Sequence, residues 1–192
     1  MIKKQLKSAF LIFLLLTVIT GIIYPLAITV IAQTFFRYQA NGSIILKNGK
    51  PAGSSLIGQS FDDPKYFWGR LSATSPTAFN ASVSSGSNFG PLNPALRQSA
   101  EARIKSLQNA DPGNNSPIPV DLVTSCASGL DPHISIAAAM YQIPRVARSR
   151  GIPQNEIVKI VRENTRGRFI GIIGEPVVNV LLLNMALDEY KR

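Results

Sequence analysis

Between Lys7 and Arg37 the chain carries no charged residue, and most of that stretch is Leu, Ile, Val, Phe and Ala. A helix rises about 1.5 Å per residue, so roughly 20 apolar residues cross a hydrocarbon core about 30 Å thick. Residues 9–36 are long enough to do so. Val30-Ile31-Ala32 would suit a signal-peptide cleavage site, but the apolar run is well beyond the usual stretch of about 7–15 residues. Thr17, Thr20 and Thr29 can return their hydroxyls to the preceding turn of backbone, and Gly21 and Pro25 are tolerated in a spanning helix. The sequence therefore predicts a single transmembrane helix over 9–36.

The flanks set the orientation. Lys3, Lys4 and Lys7 precede the span, whereas Arg37 is the only basic residue in the ten that follow Phe36. The bias of basic residues toward the cytoplasmic side keeps 1–8 in the cytoplasm and exports 37–192. Cleavage of a signal peptide would export the same domain.

The exported part is long enough for one domain with its own core. The formal charge is +9 for the whole chain, or +6 once the three amino-terminal lysines are set aside. Outside a membrane that balance suits anionic lipid head groups or an acidic protein surface rather than nucleic acid. The single cysteine, Cys126, rules out an intramolecular disulfide. One Cys and one His, His133, also argue against a zinc site within one chain, which needs three or four ligands.

Along the chain, Ser43 to Lys47 is β-like, and Asn48-Gly49 accepts the positive φ angles of a two-residue hairpin turn. Residues 72–90 are rich in Ser, Thr, Asn, Gly and Ala. Asn93-Pro94 marks a helix start, carried on by Leu96, Ala100, Ile104 and Leu107 and stopped near Asn109 by Asp111-Pro112-Gly113. Ser135 caps a helix in which Ile136, Ala139, Met140 and Ile143 share a side; Pro144 should kink or restart it, and Gly151 end it. Ile157, Val158, Ile160 and Val161 mark another helix behind Pro153, and 177–190 is an apolar, buried element. The soluble part reads as a single α+β domain, helix-rich after residue 93.

Three segments invite chemistry. Residues 84–96, SSGSNFGPLNPAL, allow backbone amides to converge on an anion, yet lack the Gly-Lys-Ser/Thr ending of a phosphate loop. An ordered loop leading into a capped helix is the simpler reading. Residues 122–135, LVTSCASGLDPHIS, hold Ser125, Ser128, Asp131 and His133, but no Gly-x-Ser-x-Gly elbow. A turn in which Asp131 fixes the backbone ahead of the Ser135 cap is favoured over a catalytic triad, and no catalytic residue is expected. The third is a basic set, Arg145, Arg148, Arg150, Lys159, Arg162, Arg166 and Arg168, which reads as a solvated face or a docking surface. In FDDPKYFWGRLSAT, residues 61–74, the aromatics beside Arg70 suit a core corner and an interface anchor equally.

Taken together the chain resembles the C-subunit family of Kdp-type potassium-transporting ATPases. The resemblance rests on Tyr24-Pro25-Leu26 in the span, Gly58-Gln59, the aromatic segment 61–74, and Ser-Gly-Ser-Asn at 85–88. It continues through SGLDPHIS at 128–135, IPRVARSRG at 143–151 and GEPVVNVLLLNMALDE at 174–189. Cys126 stands where a small residue is more usual, and Ser84-Ser85 where a Ser-Gly pair is common. The resemblance implies a non-catalytic accessory subunit of a high-affinity potassium pump in a bacterial inner membrane. Its partners would be a channel-like subunit, an ATP-hydrolysing P-type subunit and membrane lipid, with ATP and potassium handled by the complex. It implies assembly and stabilisation, and a chaperone role raising the hydrolysing subunit's ATP affinity. Ser85, Gly86 and Gln142 are the candidates for direct ATP contact, although the lysine bias and the missing nucleotide loop favour an indirect effect. Gly21, Tyr24 and Pro25 are candidates for packing the span. Trp68, Arg70, Asn88, Asp131, His133, Arg145, Arg148, Glu175 and Asn179 are candidates for partner contacts. An anchored extracytoplasmic hydrolase using Ser125 or Ser128 with His133, and a lipid-binding envelope protein, are the alternatives.

Overall fold

The computed structural model describes residues 2–190. Met1, within the expected segment 1–8, and Lys191 and Arg192, within 37–192, lie outside them. The chain divides into two units between Ile44 and Ile45.

The first unit is one long apolar rod. Helix α1, Ile2–Val18, passes through a π-helical segment, Ile19–Ile23, into α2, Tyr24–Phe35. The whole run is long and apolar enough to cross a membrane. The π segment sits immediately ahead of Pro25, where the Tyr24 N–H reaches back five residues to the Ile19 carbonyl. Proline has no N–H and crowds the carbonyl four residues back, and a local π turn relieves that conflict. As expected, Thr17, Thr20 and Thr29 donate to the carbonyls of Phe13, Leu16 and Pro25 at 2.7–2.8 Å. Phe36 leaves helical geometry, and a single turn, α3 (Arg37–Ala40), follows.

The second unit opens with a hairpin of β1 (Ile44–Lys47) and β2 (Lys50–Ser54). Asn48 and Gly49 take φ values of 52° and 75°, the turn their sequence called for. Helix α4, Pro94–Ala110, is capped by Asn93, whose side chain accepts from the Ala95 N–H. A short α5, Val120–Val123, precedes β3, His133–Ser135, which runs straight into α6, Ile136–Arg150. Ser135 caps α6 by accepting from Ala138, and Gly151 ends it in the left-handed region at φ 61°. Helix α7 is Gln154–Glu163, followed by β4 (Thr165–Arg166), β5 (Val177–Asn179) and α8 (Val180–Glu189). Strand β5 lies between β3 and β4, antiparallel to both, with Val178 opposite Ile134 on one side and Thr165 on the other. Phe67, Leu107, Leu122, Ile134, Val146, Ile157, Val161, Val178 and Leu183 fill the core between these helices and the sheet.

Three expectations change. Helix α6 runs through Pro144 without a break. Its buried face is also turned from the stripe first drawn: Ile136 and Met140 are exposed, while Ala138, Gln142 and Arg145 are buried. Apolarity alone picked the wrong edge because the neighbouring segment demands polar groups there. The element expected over 177–190 is two, a strand that becomes a helix at Asn179, whose side chain accepts from Leu182.

That neighbouring segment is residues 64–69, which lies outside any strand and carries Phe67 and Trp68 into the core. Buried backbone needs hydrogen-bond partners, and here side chains supply them. The Asn184 amide accepts from Phe67 N–H at 2.8 Å and donates to the Phe67 carbonyl at 2.9 Å. Gln142 does the same for Trp68, at 2.8 and 3.1 Å. Arg145 donates to the carbonyls of Pro64 and Tyr66 and to Gln142, and Arg103 to that of Gly69. Both guanidiniums lie over the Trp68 ring, at 4.5 Å for Arg145 and 5.1 Å for Arg103. Burial lowers the Arg145 pKa from its ordinary value to about 10, partly offset by Asp111, and its charge is retained at neutral pH. Arg145→Ala should take a donor from the Pro64 and Tyr66 carbonyls and from the buried Gln142 carboxamide, and leave a cavity against Trp68, at a cost of about 3 kcal/mol. The check is a fall in the guanidinium midpoint of the full chain, followed through Trp68 fluorescence.

Candidate partner interface

Four loops that are distant in sequence meet on one face of the second unit. Gly58 N–H donates to the Leu130 carbonyl at 2.8 Å, and Cys126 N–H to that of Leu71 at 3.2 Å. Ser85 N–H donates to the Ser128 carbonyl at 3.0 Å, and the Ser84 hydroxyl shares that acceptor. Ser72 and Thr74 knit the polar stretch from within. The Ser72 hydroxyl donates to the Gly129 carbonyl at 2.7 Å and accepts from Phe79 N–H, while Thr74 donates to the Thr77 carbonyl and accepts from Asn80. The loop rich in small residues is thus ordered by its own hydroxyls.

Small residues are required where these loops touch. A Cβ on Gly86 would lie 2.7 Å from the Ala127 carbonyl oxygen. One on Gly129 would lie 2.5 Å from that of Ser85, and the Gly129 backbone also has φ 71°. Cys126 is buried in the same junction, where its modest size fits.

Beside the junction, Asp131 accepts from both the His133 backbone N–H and, at 3.0 Å, the His133 ring Nδ1, and lies 3.5 Å from an Arg70 guanidinium nitrogen. These residues, with Leu56 and Ser128, line a shallow pocket of about 440 Å³. Partial burial works against the Asp131 carboxylate, but the hydrogen bonds from His133 and the nearby Arg70 charge outweigh it, leaving its pKa below the ordinary value. Asp131 therefore fixes the turn as expected. Among the described residues no hydrogen bond joins His133 to Ser125 or Ser128. The Ser128 hydroxyl oxygen instead accepts from Leu130 N–H at 3.2 Å.

The expected site residues part company here. Arg70, Asp131 and His133 come together at the pocket, and Asn88 is exposed with φ 51°. Arg148 pairs with buried Asp111, and Arg168 with Glu175 at 3.0 Å. Trp68 and Arg145 belong to the interior, which corrects their placement among partner contacts and, for Arg145, on a solvated face. Asn179 is likewise buried, donating to the Ser55 carbonyl while capping α8. Ser85, Gly86 and Gln142 are not gathered around one cavity. Gly86 lines an opening of about 560 Å³ with Ser87, Arg103 and Ser125, whereas Gln142 is 1% exposed with its amide engaged by Trp68 and Arg145. Sequence reasoning missed Arg103, Asn184 and Asp188. Asn184 had a legible signal, a carboxamide inside an apolar run. Asp188, which gathers Lys47, Tyr66 and Arg150, had none.

The chain is thus an apolar rod long enough to cross a membrane, followed by a small α+β domain whose loops meet in an ordered platform. Comparison with known proteins makes this specific. The family described as K+-transporting ATPase, c chain, matches residues 6–189. A potassium-transporting ATPase KdpC subunit of Ralstonia nicotianae is 56% identical over 186 residues, 97% of this chain and 91% of its own length. Those of Herpetosiphon aurantiacus and Dechloromonas aromatica are 57% and 56% identical, over 96% and 99% of this chain and 96% and 100% of their own lengths. The chain belongs to this family.

The Asp131 environment yields a pH prediction. Its folded-state pKa lies below the unfolded value of about 3.9, so its stabilisation is complete above that value. It is lost as pH falls through the depressed folded value. Asp131→Asn should flatten the acid limb of stability against pH and leave neutral-pH folding intact, as read by thermal melts from pH 7 downward.

Proposed function

We propose that this chain is a non-catalytic accessory subunit of a potassium-transporting ATPase, holding the pump's subunits together. The observation that carries the reading is the family match, which runs unbroken from the apolar rod to α8. In this reading residues 9–36 span the membrane, Lys3, Lys4 and Lys7 at the start of the apolar helix stay in the cytoplasm, and the second unit lies outside. Gly21 supports close approach of a neighbouring helix, since nothing lies within 4 Å of where its Cβ would be. Tyr24 and Pro25, just past the π segment, lie beside that opening.

Loops with satisfied backbones and an exposed polar rim suit recognition rather than turnover. Arg70, Asn88, Asp131, His133, Arg148 and Glu175 are the residues we assign to contacts with the channel-like and ATP-hydrolysing subunits. ATP and potassium are handled by those partners. Any rise in the hydrolysing subunit's ATP affinity is indirect, because an accessory chain needs only unequal binding to two states of the pump. The commitment of Gln142 to the Trp68 backbone supports that route over direct nucleotide contact.

Two measurements test the reading. Replacing residues 1–36 by an unrelated membrane anchor should abolish copurification with the other pump subunits; unchanged assembly rejects helix-specific packing. The Ser125→Ala, Ser128→Ala pair removes both hydroxyls a hydrolase would use and spares the assigned contact residues, so potassium-dependent ATPase activity of the assembled pump should stay within about twofold of the parent; loss of all turnover by a pump that still assembles would restore a hydrolytic role.

A further inference from the structure

Between β4 and β5 the chain makes a second, smaller hairpin whose tip has no apolar cover. Phe169 and Ile173 pair in antiparallel fashion, with N–H to carbonyl distances of 2.8 and 3.0 Å in the two directions. Ile170 and Gly171 take φ values of 54° and 75° to close the turn. The tip is therefore a built structure. Yet Phe169, Ile170, Ile172 and Ile173 are 63%, 75%, 79% and 63% exposed. Four large apolar side chains held out on one ordered turn mark an interaction site.

The hairpin is layered along its axis. Ile170 and Ile172 are outermost, Phe169 and Ile173 come next, and the Arg168–Glu175 pair closes the neck. Behind the neck, Arg162 and Arg166 are exposed, and no ion pair engages either among the described residues. Arg162, Arg166 and Arg168 against Glu163 and Glu175 leave 162–175 net positive. Apolar tip, then paired neck, then free guanidinium is the order of acyl chain, interface and anionic head group. The same chain carries a helix long and apolar enough to cross a bilayer, so a lipid phase is one it already has to meet.

We propose that this hairpin is a bilayer-interface wedge, its tip seated among acyl chains to a depth of about 5–10 Å and its arginines at the level of anionic head groups. The wedge would give the second unit a hold on the membrane beyond the tether of the rod, independent of which pump subunits the chain joins.

The test uses full-length chain carrying Ile172→Trp, reconstituted in vesicles of phosphatidylglycerol and phosphatidylethanolamine with brominated acyl chains. Buried Trp68 in the parent chain sets the baseline. The emission added by the substitution should shift to the blue and lose most of its intensity to the bromines. The Arg162→Gln, Arg166→Gln pair should reduce that quenching. Added emission that stays red and unquenched overturns the proposal. So does emission that is blue but insensitive to bromine, which would mean a protein surface or a second copy covers the tip.

Discussion

The second unit depends on the way a strandless segment is carried through its interior. Residues 64–69 bring Phe67 and Trp68 into the core, and with them backbone groups that a sheet would ordinarily satisfy. Instead two carboxamides, Asn184 from α8 and Gln142 from α6, each close a two-way hydrogen-bonded ring on one residue. An amide side chain offers one donor and one acceptor in a plane, the same pair that a neighbouring strand would present. Arg145 and Arg103 complete the arrangement, both guanidiniums lying over the indole. Removing Asn184 leaves both backbone groups of Phe67 without these partners, and removing Gln142 does the same to Trp68 and takes an acceptor from Arg145.

This frame also sets the platform. Arg70 and Leu71 follow directly from the threaded segment, and Leu71 bridges to Ser125. The loop carrying Asp131 and His133 is thereby held against the loop carrying Ser85 and Gly86. Hydroxyls and glycines do the rest, since loops this close leave little room for side chains. A surface ordered in this way loses little freedom on meeting a partner.

Much of this was legible beforehand. The apolar rod, the Asn48-Gly49 turn, the Asn93 and Ser135 caps and the Gly151 stop each rest on local chemistry, and each stands where the residues put it. What escaped was long-range. Arg145 sits in a run of arginines, and nothing local distinguishes it from exposed Arg148 three residues on. Trp68 suited a core corner and an interface anchor equally until the two guanidiniums around it were placed. Gln142 was read toward a ligand, although its partner is a backbone 74 residues away. The buried edge of α6 was misjudged for the same reason, because polar residues face inward there.

The π segment in the rod has a geometric consequence. A π turn accommodates one residue more than the α-helix it interrupts, and each residue advances an α-helix by about 100°. The stripe of side chains ahead of Ile19 is therefore out of phase with the stripe beyond Ile23. A uniform rod would show one continuous seam to its surroundings; this one shows two, rotated against each other, so each half presents its own direction.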